Sequence, residues 1–232
     1  MPKGTFLNLP EPKRRRFVDA ARAEFAQHGF DHASVGRIVR ALGIAKGSVY
    51  QYFDDKADLF RYLVDEGGRR KLSWVGEEAS APEEDIWDEL GAAYRRGLAF
   101  TVAEPEWSRV LLRSQEPSLD PGLAAIRRAH RARGHAHLVA LLERGKEQGV
   151  VRASVETEAA AWLVHGMLSE GLLAGFLGAL GTDLEALVAR SEPVSGEEVE
   201  AALAVADEAV ELLRRGLGPS DLGCEPGPDG RQ

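Results

Sequence analysis

The chain has 232 residues, 44% of them hydrophobic and 28% charged, which is the composition of an ordinary soluble globular protein. This length allows one or two domains that fold without disulfide or metal support. The single cysteine, Cys224, excludes an internal disulfide and cannot form a zinc site alone. Residues 1–9 lack the apolar run of a signal peptide, and the most apolar stretch, residues 162–180, is interrupted by polar residues and glycines. We therefore expect a cytoplasmic protein that makes no contact with a membrane.

The charge is unevenly distributed along the chain. The net charge is −8, but the segment up to Lys56 holds ten basic and six acidic residues, a net charge of +4, and the remainder has a net charge of −12. A basic segment on an acidic protein permits local binding of a polyanion. Chance alone also produces such an imbalance in a segment this short, so the charge permits this hypothesis without requiring it.

Every periodic segment predicts a helix, and no window alternates in the pattern of a β-strand, so the expected fold class is all-α. Asn8, with Glu11 three residues later, resembles a capping box at the start of a first helix that ends near His28. Gly29 is expected to end that helix in the left-handed conformation that residues with a Cβ resist.

Short helices are predicted next. Ser34 caps a helix over residues 35–42, Gly43 begins a tight turn, and a third helix follows over residues 45–52. A pair of aspartates caps a fourth helix that begins near Lys56. Short helices with a glycine turn between the second and the third are typical of a helix-turn-helix.

The remainder predicts a larger helical region, punctuated by proline, glycine and acidic residues. One helix is expected to start at residues 82–85, and others to span 107–114, 121–148, 157–180 and 197–215. Residues 217–232 are rich in Gly, Pro and Asp and predict a disordered tail. The expected organisation is therefore three units, with boundaries at 1–56, 57–216 and 217–232.

Residues 25–60 read FAQHGFDHASVGRIVRALGIAKGSVYQYFDDKADLF. The aromatic residue before Gly-Phe, the later Ser, Ile and Gly, and the string Lys-Gly-Ser-x-Tyr-x-Tyr-Phe before Lys and Leu closely resemble the N-terminal domain of the TetR family. The resemblance implies a transcriptional repressor with a three-helix DNA-binding domain at 1–56. It also implies a helical effector-binding and dimerisation domain at 57–216.

The third predicted helix suits contact with DNA on physical grounds as well. Lys46, Gly47 and Ser48 form its first turn, where outward N–H groups at the positive end of the helix dipole favour phosphate. Gly47 has no side chain to obstruct the sugar-phosphate backbone. Lys46 and Tyr50 lie four residues apart and share one face, while Val49 is expected to face the core.

The resemblance extends the set of expected DNA contacts. Positions that contact DNA in the family are occupied here by Ser34, Lys46, Ser48, Tyr50, Gln51, Tyr52 and Lys56. Lys46, Gln51 and Arg37 are the candidates for reading bases, because Lys suits guanine and Gln suits adenine. Tyr52 has a structural alternative, and Arg37 has the alternative of a solvated charge. The basic run at residues 14–16 has the same two alternatives, phosphate contact or a solvated face.

No arrangement of residues predicts an enzyme. His130, His135 and His137 are spaced by five and two residues, which places them on different faces of a helix, whereas a helical metal pair needs a spacing of three or four. Phosphate-binding glycine loops and nucleophile elbows are missing from the sequence. We therefore expect no catalytic residue, no metal and no cofactor.

The resemblance implies that the helices of the second unit form an effector pocket and a dimer interface. Candidate pocket residues, chosen as aromatic and apolar side chains on separate helices, are Trp74, Trp87, Tyr94, Leu98, Trp107, Leu111 and Trp162. For each of them, ordinary core packing is the alternative. Candidate interface residues on the last two long helices are Leu172, Leu173, Phe176, Val199, Leu203, Val210 and Leu213. That apolar strip has the alternative of a partner within its own chain.

The function predicted from the sequence is that of a homodimeric repressor that binds a pseudo-palindromic double-stranded DNA operator. Its two helix-turn-helix units must reach successive major grooves, about 34–36 Å apart or a multiple of that. Release by a small apolar or aromatic effector of unknown identity is expected through differential affinity for two states. Two alternatives remain: a DNA-binding regulator without a small-molecule effector, and an enzyme or lipid carrier with a vestigial DNA-binding unit.

Overall fold

The computed structural model describes residues 2–76, 85–117, 120–190 and 192–219, and every regular element in these ranges is helical. This confirms the predicted all-α class. The helices are α1 (Gly4–Leu7), α2 (Glu11–His32), α3 (Val35–Leu42), α4 (Lys46–Tyr52), α5 (Lys56–Gly76), α6 (Ile86–Ala103), α7 (Pro105–Arg113), α8 (Pro121–Glu147), α9 (Thr157–Gly166), α10 (Leu172–Ala179), α11 (Leu184–Ala189) and α12 (Gly196–Leu217). We call α1–α4 the head and α5–α12 the body.

The start of the chain folds differently from the prediction. Asn8 follows the short helix α1 as its C-terminal cap, so the expected capping box at Asn8 is wrong. α2 begins at Glu11, after Pro10 with φ −51° and ψ 135°. Pro12 lies in its first turn, where a helix has no partner for the N–H group that proline lacks. Two prolines therefore set the start of α2.

Two glycines bend the chain in the head as predicted. Gly29 has φ 64°, and this kink interrupts α2 before one more turn to His32. Gly43 ends α3 with φ 66°, and its N–H donates back to the Arg40 carbonyl. Both conformations are costly for residues with a Cβ, so glycine fixes the two changes of direction.

Two hydrophobic cores hold the described part of the molecule together. The first core joins the head to α5 and extends into the body through Phe100, Trp107, Val110 and Leu123. The second core combines side chains along α6, the later half of α8 and helices α9 to α12. The boundary predicted near residue 56 therefore does not separate the two cores, because the first one continues past it.

The long apolar helix predicted over 157–180 is divided by a π-helical segment, Met167–Gly171, between α9 and α10. The span Thr157–Ala179 is long and apolar enough to cross a membrane by length and composition, a test that core helices of soluble proteins also pass. Here its two parts pack on α8 and α12. The helix α11 was not predicted, and the predicted tail lies outside the described residues from 220 onward.

Candidate nucleic-acid interface

The helices α3 and α4 meet at the Gly43 turn and pack on the rest of the head through the buried side chains Val35, Ile38, Val39 and Val49. Because Val49 faces the core, the opposite side of α4 faces solvent. Lys46, Gly47, Tyr50 and Gln51 are exposed there, with Tyr50 46% exposed. Among the described residues, the side chains of Lys46, Tyr50 and Gln51 form no hydrogen bond or ion pair, so their polar groups are available to an external partner.

Gly47 is not required by the fold itself. A Cβ built on Gly47 meets no atom within 4 Å, and its φ is not positive. Alanine would also be the better helix former at this position, by about 1 kcal/mol. Packing and backbone conformation therefore do not explain the glycine. Its missing side chain leaves room on the outer surface of α4, where a sugar-phosphate backbone would approach.

Ser34 and Arg37 are organised by the buried carboxylate of Glu24, which is 9% exposed. The Ser34 backbone N–H donates to Glu24 Oε1 at 2.7 Å, and Arg37 donates to the same carboxylate through Nε at 2.9 Å and Nη2 at 2.6 Å. Burial alone would raise the pKa of Glu24, but the hydrogen bonds from Arg37 and Ser34 outweigh it and hold that pKa below its ordinary value. Arg37 also donates to the His32 carbonyl at 2.8 Å.

These contacts favour a structural role for Arg37. Its guanidinium donates to Glu24 and to the His32 carbonyl, so it holds the start of α3 against α2. The expected capping hydrogen bond of Ser34 is also missing, since its side chain accepts from no backbone N–H of α3. The hydroxyl of Ser34 therefore remains available at the N-terminus of that helix.

Lys56 is likewise occupied within the protein. Its ammonium donates to the carbonyls of Phe30 at 2.7 Å, Asp31 at 3.3 Å and Ala33 at 3.3 Å, and lies 4.5 Å from the centre of the Phe30 ring. An ammonium has three N–H donors, and all three have carbonyl partners here. The contacts therefore do not support the predicted phosphate contact. Lys56 instead ties the loop between α2 and α3 to the start of α5.

An N-terminal arm, residues 3–8, supports α4, and no pattern in the sequence indicates it. Lys3 donates from its backbone N–H to the Tyr52 carbonyl at 2.8 Å and from Nζ to the Tyr50 carbonyl at 2.9 Å. The Thr5 hydroxyl donates to the Gln51 carbonyl. The carbonyls at the end of a helix have no partner within it, so the arm satisfies three of them from outside.

Phe6 anchors this arm. Its side chain is fully buried, and its ring centroid lies 4.9 Å from that of Phe53, 5.6 Å from that of Phe17 and 5.8 Å from that of Tyr52. Tyr52 is half-buried in this aromatic cluster, which favours its structural alternative.

Two further residues of the head complete the surface around α4. Ser48 is half-buried. Arg40 on α3 is exposed and has no described partner, which makes it a candidate cation that the sequence analysis does not include.

The predicted pocket residues are divided between the two cores in the described part of the chain. Trp87, Tyr94 and Leu98 belong to the second core, whereas Trp107 and Leu111 belong to the first. Trp74 and Trp162 are 42% and 48% exposed. A cavity of about 320 Å³ between α6 and α12 includes Trp87, and one of about 250 Å³ beside Gly29 includes none of these residues.

Four of the predicted interface residues are covered by their own chain. Leu172, Phe176, Leu203 and Val210 are between 0% and 8% exposed and form part of the second core. Leu173, Val199 and Leu213 are partly buried against the same core. Helical periodicity correctly located the apolar side of these helices, but in this chain that side packs within the subunit.

The histidines of α8 do not form a metal site. His135 stacks on Trp162 of α9 with ring centroids 4.0 Å apart, and its Nε2 lies 3.4 Å from a Glu158 carboxylate oxygen. Burial lowers the pKa of His130, and the nearby Arg133 lowers it further. Across the residues that the structure describes, no group of three or more His, Cys, Asp or Glu side chains is placed to hold a metal ion.

Two short helices joined by a glycine turn, with an exposed and unpaired polar face on the second, define a helix-turn-helix protein with a separate helical body. Residues 17–63 match the family model described as "Bacterial regulatory proteins, tetR family". Over these residues the chain is therefore similar to regulatory proteins of the tetR family.

Relatives and solved structures extend this similarity beyond the head. The chain is 28% identical over 174 residues to the HTH-type transcriptional repressor AcnR of Corynebacterium glutamicum, covering 75% of this chain and 84% of AcnR. A TetR family transcriptional regulator from Chloroflexus aurantiacus is 28% identical, with a TM-score of 0.75 over 95% of this chain and 100% of that one. The fatty acid degradation regulator FadR from Bacillus halodurans is 22% identical with a TM-score of 0.61, over 88% of this chain and 98% of that one, a likeness of fold alone.

Proposed function

We propose that this protein is a cytoplasmic transcriptional repressor that binds a pseudo-palindromic DNA operator as a homodimer and is released by a small-molecule effector. The observation that carries the proposal is the exposed face of α4. Lys46, Tyr50 and Gln51 have no described partner in the protein, and Gly47 leaves the surface between them open. Such a face on the second helix of a helix-turn-helix is placed to enter the major groove.

Within this face the residues have different proposed roles. Lys46 and Gln51 read base edges, because ammonium and amide groups match the acceptors and donors of the major groove, and the charge of Lys46 also neutralises one phosphate in each head. Ser34, Ser48 and Tyr50 position the head on phosphates, with the N–H groups of the first turn of α4. Arg40 joins them as a phosphate contact, while Arg37, Tyr52 and Lys56 hold the head in shape.

The dimer interface that we propose is the solvent-facing side of the last long helices. On α9, the π-helical segment and α10, small and apolar residues line that side, including Trp162, Leu163, Gly166, Ala174 and Gly178. On α12 the corresponding residues are Ala201, Ala204 and Leu212. Such side chains permit close approach, and two helices from each subunit would form a four-helix interface. Head spacing is then set by the dimer, which gives an effector its means of control.

A selection from random-sequence DNA, followed by anisotropy measurements on the selected site, tests the DNA-binding proposal. We expect the protein to enrich a pseudo-palindrome and the Lys46→Ala, Tyr50→Ala double variant to lose binding to it. Arg69→Ala is the matched control, because Arg69 is exposed on α5 and its ion pair is with Glu66 of the same helix. Circular dichroism must show the same helix content in all three proteins. Enrichment of no sequence, or retained affinity in the folded double variant, would contradict the proposal.

A further inference from the structure

The first half of α8 is strongly basic, although it belongs to an acidic body. Residues 121–137 contain four arginines and three histidines and no acidic residue, whereas the chain after Lys56 has a net charge of −12. Arg127, Arg128 and Arg131 lie on one side of the helix, because they are spaced by three and four residues. Arg128 and Arg131 are exposed, and Arg127 is half-buried. We call these three residues the basic stripe.

The basic stripe has no carboxylate partner among the described residues. Its three arginines take part in no ion pair and no hydrogen bond there. Most other arginines of the body do pair with a carboxylate, including Arg61, Arg69, Arg95, Arg109, Arg144 and Arg214. Like charges three or four residues apart also destabilise a helix. The fold itself therefore gives no reason to gather these charges, which indicates an anionic partner outside the subunit.

The basic stripe lies at the end of the body that adjoins the head. Leu123, one turn before Arg127, is buried in the first core together with residues of the head. A Cβ built on Gly122 would lie 3.1 Å from Nη2 of Arg61, which belongs to the second turn of α5. Arg131 follows Leu123 by eight residues, which is about 12 Å along the helix axis. The whole stripe is thus within about three helical turns of the first core.

The same side of α8 adjoins the helix that we propose for the dimer interface. His135, one turn after Arg131, stacks on Trp162 of α9 with ring centroids 4.0 Å apart. A Cβ built on Gly134 would lie 2.9 Å from Cε1 of His165, so α8 and α9 are in close contact here. In the proposed dimer each basic stripe would therefore lie between its own head and the two-fold axis.

We propose that the basic stripe binds phosphates of the operator segment between the two half-sites. The DNA backbone offers a regular row of phosphates, and arginine binds phosphate through charge-assisted and often bidentate hydrogen bonds. These contacts add affinity without reading sequence, because phosphates carry no sequence information directly. The proposal rests on the proposed function, since it needs two heads on one operator.

Salt titrations of operator binding test the stripe after Arg127, Arg128 and Arg131 are replaced together by glutamine. Each phosphate that is bound contributes about −0.9 to the slope of log K against log salt. With at least one phosphate per stripe, we expect the slope of the dimer to flatten by about 1.8 or more. Operator affinity at about 0.15 M salt should fall at least about tenfold. The ratio of operator affinity to scrambled-DNA affinity should change by less than about twofold.

Two further variants separate the stripe from net charge and from folding. The matched control combines Arg69→Gln, Arg133→Gln and Arg144→Gln, which removes three charges from exposed positions outside the stripe. We expect it to keep the wild-type slope within about 0.5. Lysine at all three stripe positions should also keep most of the slope, because the charge remains. Circular dichroism and sedimentation must show folded dimers.

Neutral methylphosphonates in the operator locate the contact. Substitution of the phosphates between the half-sites should weaken binding by the wild type. It should have little further effect on the glutamine variant, because both changes remove the same interaction. Methylphosphonates outside the half-sites should affect the two proteins equally. Equal weakening of both proteins by the central substitution would place the stripe away from that segment and overturn the proposal.

The remaining outcomes distinguish this proposal from the proposed function. An unchanged slope in the glutamine variant, or equal flattening in the matched control, overturns the stripe as a DNA contact. Dissociation of the glutamine variant into monomers would show that the stripe pairs with the second subunit, and this also overturns the proposal. A wild type that does not distinguish the selected operator from scrambled DNA contradicts the proposed function instead.

Discussion

Lys46 and Lys56 are both assigned to DNA by the resemblance of the motif, but their contacts predict opposite consequences of removing the charge. Lys46 is exposed on α4 and has no described partner, whereas Lys56 gives three hydrogen bonds to backbone carbonyls, at 2.7, 3.3 and 3.3 Å. Methionine is the matched substitution for both, because it keeps the length of the side chain and removes the ammonium.

The Lys56→Met variant should lose about 2–3 kcal/mol of unfolding free energy. One short and two long hydrogen bonds from a charged donor, with a contact to the Phe30 ring, account for this range. Lys46→Met should change the unfolding free energy by less than about 0.5 kcal/mol, since it lies on the surface. Urea denaturation measures both values.

Operator binding between about 50 and 200 mM salt separates the two lysines a second time. Each phosphate that a lysine neutralises contributes about −0.9 to the slope of log K against log salt, so Lys46→Met should flatten the slope by about 1.8 for a dimer. Lys56→Met should leave the slope unchanged in the folded protein. If Lys56→Met flattened the slope by about 1.8 and left the unfolding free energy unaltered, Lys56 would be a phosphate contact and the structural role inferred from its carbonyl contacts would be wrong.

Three further predictions concern packing and charge in the fold. The stability difference between wild type and Glu24→Gln should be constant near neutral pH and shrink below about pH 4.3, because a carboxylate with a lowered pKa loses its stabilising charge as acid protonates it; urea titrations at several pH values measure this. Phe6→Ala should cost about 3–5 kcal/mol in the same assay, whereas Leu7→Ala, at a 54% exposed position, should cost less than about 0.5 kcal/mol. Gly145→Ala should lower the Tm through a loss of about 1–3 kcal/mol, since its Cβ would lie 2.5 Å from Ile86 Cδ1, and an unchanged Tm would show that the helices can separate there.

The sequence predicted the head well because short-range chemistry determines it. Gly29 has the positive φ that was expected of it, Gly43 forms the expected turn, and Val49 faces the core as helical spacing requires. The N-terminal arm was missed because its partners are distant along the chain. Lys3 bonds to the carbonyls of Tyr50 and Tyr52, and no periodicity within residues 1–9 indicates an acceptor that far away.

In the body, periodicity identified apolar faces but not what covers them. Trp87 and Trp107 are pocket candidates in the sequence because they are aromatic side chains on separate helices, yet they are buried in different cores. Leu172 and Phe176 were assigned to a dimer face and instead pack within the subunit.

The continuity of the first core past residue 56 limits how this protein can be recombined. A chimera that joins its head to another regulator's body at that residue would cut through one core and separate Phe25 from Phe60, whose ring centroids lie 4.9 Å apart, and from the rest of that core. A unit that could be exchanged intact would have to end at the boundary between the two cores. Both α6 and α8 cross this boundary, because Phe100 and Leu123 belong to the first core and Leu90 and Leu138 to the second. The head that would determine DNA specificity thus shares its core with part of the body. Substitutions on the exposed face of α4 are therefore a safer route to a new operator than exchange of the whole head.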